Sequence, residues 1–263
     1  MDIQSRNLTI PRGKVFFAKF IAGTQFPGPY RELGNCPEFT LTREVEKLSH
    51  YSSQAGKRRK DADIVIEATM TGTVTTDDIK FENVALWFAG ENNTQVTTAQ
   101  TGVTETFEDV AVGDHFQLGR SDEVPGGYRK VSNVVVTDGG TSSVEFELGV
   151  DFAVDEELGI VFIPEGSAAV GGSIEVEYDV AASTREITLA SEDEVEGEIK
   201  FVSMNPVGPQ GDIVIPRVSI APNGDFSLVN DPESPAFQTL SITISALQKG
   251  SMALAYREGR PIA

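Results

Sequence analysis

The chain has 263 residues, 40% of them apolar, with 25 Gly and 13 Pro; it is long enough to bury a core and is neither disordered nor collagen-like in composition. One cysteine, Cys36, and two histidines, His50 and His115, exclude an intrachain disulfide and a thiolate cluster and leave little imidazole for a metal. The net charge of −19 is concentrated: Glu91 to Lys200 holds 24 Asp and Glu against five Lys and Arg, the rest holds 16 of each, and such acidity disfavours ordinary nucleic-acid binding.

In chain order, Leu8 to Ile10 reads as a short extended piece stopped by Pro11, Arg12 and Gly13. Val15 to Phe20 is β-branched and aromatic and predicts a strand. Two glycines and two prolines between Gly23 and Pro29 make a loop. Phe39, Leu41 and Val45 keep the period of two of a strand with one buried face, over 39–48. A partner strand runs from Ala62 to Val74. Between the two lies a polar, aperiodic segment, His50 to Lys60, ending in Lys57, Arg58, Arg59 and Lys60. Three roles fit it: a solvated tip, an isolated nucleic-acid patch, or a contact loop meeting an acidic surface on another subunit.

A helix is expected over Thr76–Ala89. Thr75, Thr76, Asp77 and Asp78 suit its N-terminus, and Phe81, Val84, Ala85 and Phe88 form a helical stripe to be buried against a sheet, widened by Leu86 and Trp87. The acidic block then shows short strands at 128–136, 144–148, 159–164 and 173–178, with a turn at Asp138, Gly139 and Gly140, which predicts a small sandwich or barrel-like module. Strands return at 198–204, 212–220 and 240–247, with a turn at Pro222 to Asp225. The fold class is therefore mainly β with one helix. Residues 1–94 and 196–263 form a discontinuous core domain, and 95–195 an inserted acidic all-β domain.

No catalytic constellation is visible. There is no P-loop, dinucleotide fingerprint, HExxH or nucleophile elbow. Glu192 to Glu196 lacks the ligand spacing and central glycine of a calcium loop. Asp151 and Asp155 would share one face of a strand, as a glycosidase pair must share a cleft, but such pairs arise by chance among 40 acids. His50 and His115 have no triad partners, and Cys36 suits a half-buried small residue. The expectation is a protein without catalysis, metal or cofactor. No basic segment leads into an apolar run at the start, and no stretch approaches the roughly 20 apolar residues of a membrane span. A soluble chain without a signal peptide, made in a reducing compartment, is expected.

The segment Leu33 to Leu41 with its continuation Glu44 to Gly56, the helix Thr76 to Phe88, and the later series Asn205, Pro206, Pro216 and Pro222 to Asp225 resemble the major tail tube protein of long, flexible-tailed (siphovirus-type) bacteriophages. The resemblance covers about 12–90 and 195–250, with a looser match near 149–152 and 159–163. It implies a β-sandwich or rolled sheet flanked by one helix. Copies, six to a ring, would join edge to edge into a continuous barrel and stack into a tube that conducts the genome. Phe39, Leu41, Arg43, Val45, Ile64, Ile66, Ala68 and Met70 would then lie in the tube-wall strands. His50, Tyr51, Ser52, Ser53, Gln54, Gly56, Lys57, Arg58, Arg59 and Lys60 would contact a neighbouring subunit or ring. The implied partners are copies of the chain, together with tape measure, tail terminator and distal tail proteins; DNA passes without sequence-specific binding, and no membrane is involved. The location is the virion tail, assembled in the host cytoplasm, with the acidic insertion outside the tube. Two other functions fit the residues: an Ig-like virion or surface module recognising a carbohydrate or receptor, and a hydrolase using the acidic block's carboxylates.

Overall fold

Most runs of Val, Ile, Thr and Phe in this chain pair into strands, because branched and aromatic side chains pack well on a pleated surface. The expected strand at 144–148 makes only isolated bridges, Glu145 with Thr137 and Leu148 with Phe152. The computed structural model describes residues 8–54, 56–140, 143–190 and 194–260. The first passage of chain forms β1 (Gly13–Lys19), β2 (Arg31–Glu32), β3 (Glu38–Ser52), β4 (Arg59–Thr76), α1 (Phe81–Trp87) and β5 (Glu91–Thr97). The middle forms β6 (Gln100–Phe107), β7 (His115–Gln117), β8 (Val131–Thr137), β9 (Ala153–Asp155), β10 (Ile160–Phe162) and β11 (Ile174–Val180). The last part adds β12 (Ser183–Leu189), β13 (Val195–Ser203), β14 (Asp212–Pro222), β15 (Leu240–Ala246) and β16 (Tyr256–Glu258). The protein is thus mainly β, with several antiparallel sheets and, among the described residues, one helix.

Two compact units emerge, Met1–Asn93 with Thr188–Ala263, and Thr94–Ile187. The return crossing falls earlier than the expected 195/196 boundary, because β12 pairs with β5 and Thr188 hydrogen-bonds Asn92 at 3.0 Å.

The first unit is one sheet in the order β2-β1-β13-β14-β15-β4-β3, with β16 also on β14. Burial alternates along β13 and β15, so Val195, Ile199, Ile242 and Ile244 join Phe17, Ile215 and Val218 in one apolar core. The face opposite is charged: Arg217 donates to both carboxylate oxygens of Glu196 at 2.7 and 3.0 Å, and Lys14 pairs with Glu32 at 3.1 Å. Gly197 is required where Phe17 lies across β13, since a Cβ there would stand 2.4 Å from both the Phe17 ring and the Ala18 carbonyl.

Helix α1 corrects the expectation in both length and face. Thr75 and Thr76 stay in β4, because β15 holds them in register through Ser241 and Leu240. The Thr76 hydroxyl donates to the Leu33 carbonyl at 2.8 Å and accepts from the Asp78 amide at 3.1 Å, a turn rather than a helix cap. The cap position is Lys80, without a side-chain hydrogen bond. Asn83, Ala85 and Leu86 are buried, whereas Phe81 is 48% exposed and Val84 and Phe88 are half-buried. Asn83 anchors the helix: its amide nitrogen donates to the Leu33 carbonyl at 3.0 Å and the Asp78 carbonyl at 2.7 Å, and its oxygen accepts from Arg31. Phe88 packs edge-on against Trp87 and against Phe226, from the loop after β14, with centroids 5.0 and 5.6 Å apart.

The second unit has two antiparallel three-stranded sheets, β7-β10-β9 and β6-β11-β8. Along β11, Ile174, Val176, Tyr178 and Val180 are buried while Glu175, Glu177 and Asp179 face outward. They join Leu118, Val136, Phe152, Val161 and Ile163 in a core separate from that of the first unit. This unit holds 18 Asp and Glu against four Lys and Arg.

Candidate functional site

The longest strands of the chain build its most unusual surface. β3 and β4 pair from Glu38 opposite Thr75 out to Ser52 opposite Arg59. β15 accompanies β4 only from Thr71 to Thr76. Beyond that level the hairpin is a two-stranded ribbon extending roughly 33 Å at the usual strand rise. Among the described residues the outer edge of β3 is unpaired throughout, and so is the β4 edge over 59–70.

Register decides which residues share a face, since directly opposed side chains point the same way. Phe39, Leu41, Arg43 and Val45 stand opposite Val74, Gly72, Met70 and Ala68. Register then shifts between Glu46 and Lys47, leaving Ile66 unopposed, so that Ile64 faces Leu48 on the other side of the ribbon. The bulge therefore splits the expected wall set: Ile64 does not continue the face of Ala68 and Met70, and Ile66 has no partner across the ribbon. The expected buried face also stops early. Phe39, Leu41 and Met70 are half-buried, but Arg43, Val45, Ile64, Ile66 and Ala68 are exposed. Leu48 is 61% and Ile64 60% exposed, with Val65 and Ile66 at 54% and 55%. Leu48 and Val65 were not singled out by sequence pattern, because only the bulged register shows where they point.

The segment His50–Lys60 is half strand and half turn among its described residues. His50, Tyr51 and Ser52 belong to β3, and Arg59 and Lys60 to β4; only Ser53, Gln54, Gly56, Lys57 and Arg58 of the expected contact residues lie in the turn, and Ala55 is outside the described residues. Gly56 supplies a positive φ of 69°. The four bases are not equivalent. Lys60 pairs with Asp63 at 2.6 Å within the ribbon, and Lys60, then Ser49, holds the Asp63 carboxyl below the usual range. Arg58 lies 4.2 Å over the Tyr51 ring, and His50 Nδ1 meets Asp61 at 2.6 Å. Lys57, Arg58 and Arg59 form no ion pair among the described residues.

Asp151 lies outside β9, so it shares no strand face with Asp155. Its carboxylate accepts from the amides of Ala168 and Glu147 at 2.9 and 3.0 Å, which keeps it ionised below the usual range. Asp155 accepts from the Leu158 amide at 2.9 Å. His115 bonds the Gly113 carbonyl at 2.9 Å and stacks near Phe162. Glu192 and Asp193 lie outside the described residues. Among the described residues, no three His, Cys, Asp or Glu are placed to hold a metal ion, and no helix is long and apolar enough to cross a membrane.

Cys36 is half-buried, and burial pushes its thiol up to about 11, against the opposing hydrogen bond to Thr76. A raised pKa means less thiolate at neutral pH. Alkylation of the native protein at pH 8 should therefore run roughly a hundredfold slower than that of the urea-unfolded chain. Equal labelling rates would contradict this burial.

A second surface has no local sequence signature beyond its opening turn. In the loop between β14 and β15, Leu228, Val229 and Phe237 are 82%, 87% and 96% exposed. Prolines and polar residues on either side gave that segment the look of an ordinary turn.

The chain belongs to a family described as protein of unknown function UCP028589, whose model matches residues 8–254 and so runs through both units. No curated protein matches the chain.

Proposed function

We propose that this family member is a structural subunit that joins copies of itself through the β3–β4 ribbon, in the manner of the major tail tube protein of long flexible-tailed phages. The observation that supports it is the ribbon itself, open at both edges and apolar on exposed positions of both faces. A lone two-stranded ribbon is marginal in water, and open edges are templates for pairing with another chain. A ribbon with two different free edges pairs head-to-tail with its neighbours. Such a contact closes into a ring when the rotation allows, and a closed barrel leaves no edge.

On this proposal the first unit is a tail-tube fold. Its rings, six copies each, stack into the tail of a virion, DNA passes through the lumen, and tape measure, terminator and distal tail proteins are the further partners. No catalytic step is assigned to it. The second unit, with its own core and 18 acids, would stand outside the channel. Its self-contained core also favours a second reading, in which that unit is an Ig-like module binding a carbohydrate or receptor.

Negative-stain microscopy of the purified chain over rising concentration tests the main proposal. Rings or tubes are expected. A monodisperse monomer at every concentration would overturn it.

A further inference from the structure

The loop 223–239 is ordered by its own hydrogen bonds rather than by burial. Gln238 donates to the Ser227 carbonyl at 2.6 Å, Asn230 to the Ala236 carbonyl, and the Ser234 amide to the Asp231 carbonyl at 3.1 Å. Pro232 and Pro235 stiffen it further. Phe226 is tied down against Trp87 at 5.5 Å between ring centroids. Yet Leu228, Val229 and Phe237 are held out in water, and Leu228 and Phe237 line a concavity of about 480 Å³. A braced loop that presents Leu228, Val229 and Phe237 outward is a contact surface.

Its charge and position say what covers it. The loop carries Asp225, Asp231 and Glu233 and no Lys or Arg, whereas residues 53–60 carry Lys57, Arg58, Arg59 and Lys60 and no acid. The loop leads into β15 at Leu240, opposite Thr76, and the basic turn joins Ser52 to Arg59 at the far end of the same hairpin. The two therefore lie at opposite ends of β4, roughly 50 Å apart at the usual strand rise. A chain cannot bring its own basic tip to its own acidic loop along this hairpin; two chains can.

We propose that the 223–239 loop is the docking surface for the hairpin tip of a second copy, so that copies stack end to end along the hairpin. Asp225, Asp231 and Glu233 meet Lys57, Arg58 and Arg59, the three tip bases without an ion pair. The aliphatic stems of these bases, and the Tyr51 ring beneath Arg58, cover Leu228 and Phe237. The inference deepens the tube proposal and rests on it for the identity of the partner. It assigns the stacking contact, whereas the ribbon edges supply the lateral one.

The test uses the full chain in four variant forms: K57E/R58E/R59E, D225K/D231K/E233K, the two sets combined, and L228S/F237S. Circular dichroism checks folding, sedimentation velocity measures association, and microscopy separates single rings from stacked ones. Each single set should weaken stacking roughly tenfold or more while rings persist, and the combined chain should regain it. Added salt should weaken wild-type stacking. The uncharged pair L228S/F237S, at positions that stabilise nothing in the monomer, should also lose stacking. Wild-type stacking by the loop-reversed chain, or no recovery in the folded combined chain, would overturn the inference and leave ring formation standing. End-to-end chains without rings in the wild type would instead overturn the ring proposal and leave this contact standing.

Discussion

Lysine at Leu48, Ile64 and Ile66 together will leave the chain folded and abolish its lateral, ribbon-to-ribbon association. The three side chains are 61%, 60% and 55% exposed, so their loss from the isolated chain should change stability by only about 0.5 kcal/mol each. In an assembly that pairs ribbons, the same side chains are taken out of water, worth about 1.5–3 kcal/mol apiece when fully buried. Lysine forfeits that gain and must also be desolvated. A loss on the order of 5 kcal/mol per contact weakens association by over three orders of magnitude. Thermal melting followed by circular dichroism and sedimentation velocity check the two halves of the result. Assembly like the wild type would show that these exposed ribbon side chains take no part in it, and a large fall in melting temperature would show that they already serve the monomer.

Tyr178→Ala will unfold the second unit and spare the first. Tyr178 is fully buried at the centre of β11, and its hydroxyl donates to Glu105, which also accepts from the Gly119 amide at 2.8 Å. Truncation opens a ring-sized cavity, costing about 3–5 kcal/mol, and strips the Glu105 carboxylate of a donor. A small β unit with a net stability of about 5–15 kcal/mol loses a large part of it. The first unit draws on different residues, Ile199, Ile215 and Ile244 among them, so its melting should stay within a few degrees of the wild type. Differential scanning calorimetry should show one transition moving down and the other holding. A single transition shifted as a whole would mean that the units fold as one body.

Much of this molecule is written in local pattern. The strands of both units follow β-branched runs such as Ile174 to Val180 and Leu240 to Ala246, whose period of two is a property of the pleat and needs no partner to be recognised. The charge count alone separated an acidic middle from a neutral framework, because charge is additive along a chain. Helix α1 shows where local pattern stops. Thr75 and Thr76 carry good capping chemistry, but β15 claims them as strand, and the face of Phe81 and Phe88 lost to that of Asn83, whose three hydrogen bonds exist only once Leu33, Asp78 and Arg31 are in place. The ribbon shows it again. The sequence predicts two long strands and a basic turn between them, but a bulge at Ile66 reverses the face of β4 from Val65 to Ala62 before a second register shift at His50 and Tyr51, and a bulge is set by pairing between strands rather than by either strand alone. Sequence by itself therefore determined the mainly-β class, the positions of most strands and the acidic block. Tertiary structure decided which apolar residues stay in water, because exposure depends on whether another layer covers a face, and that is settled by elements far away along the chain.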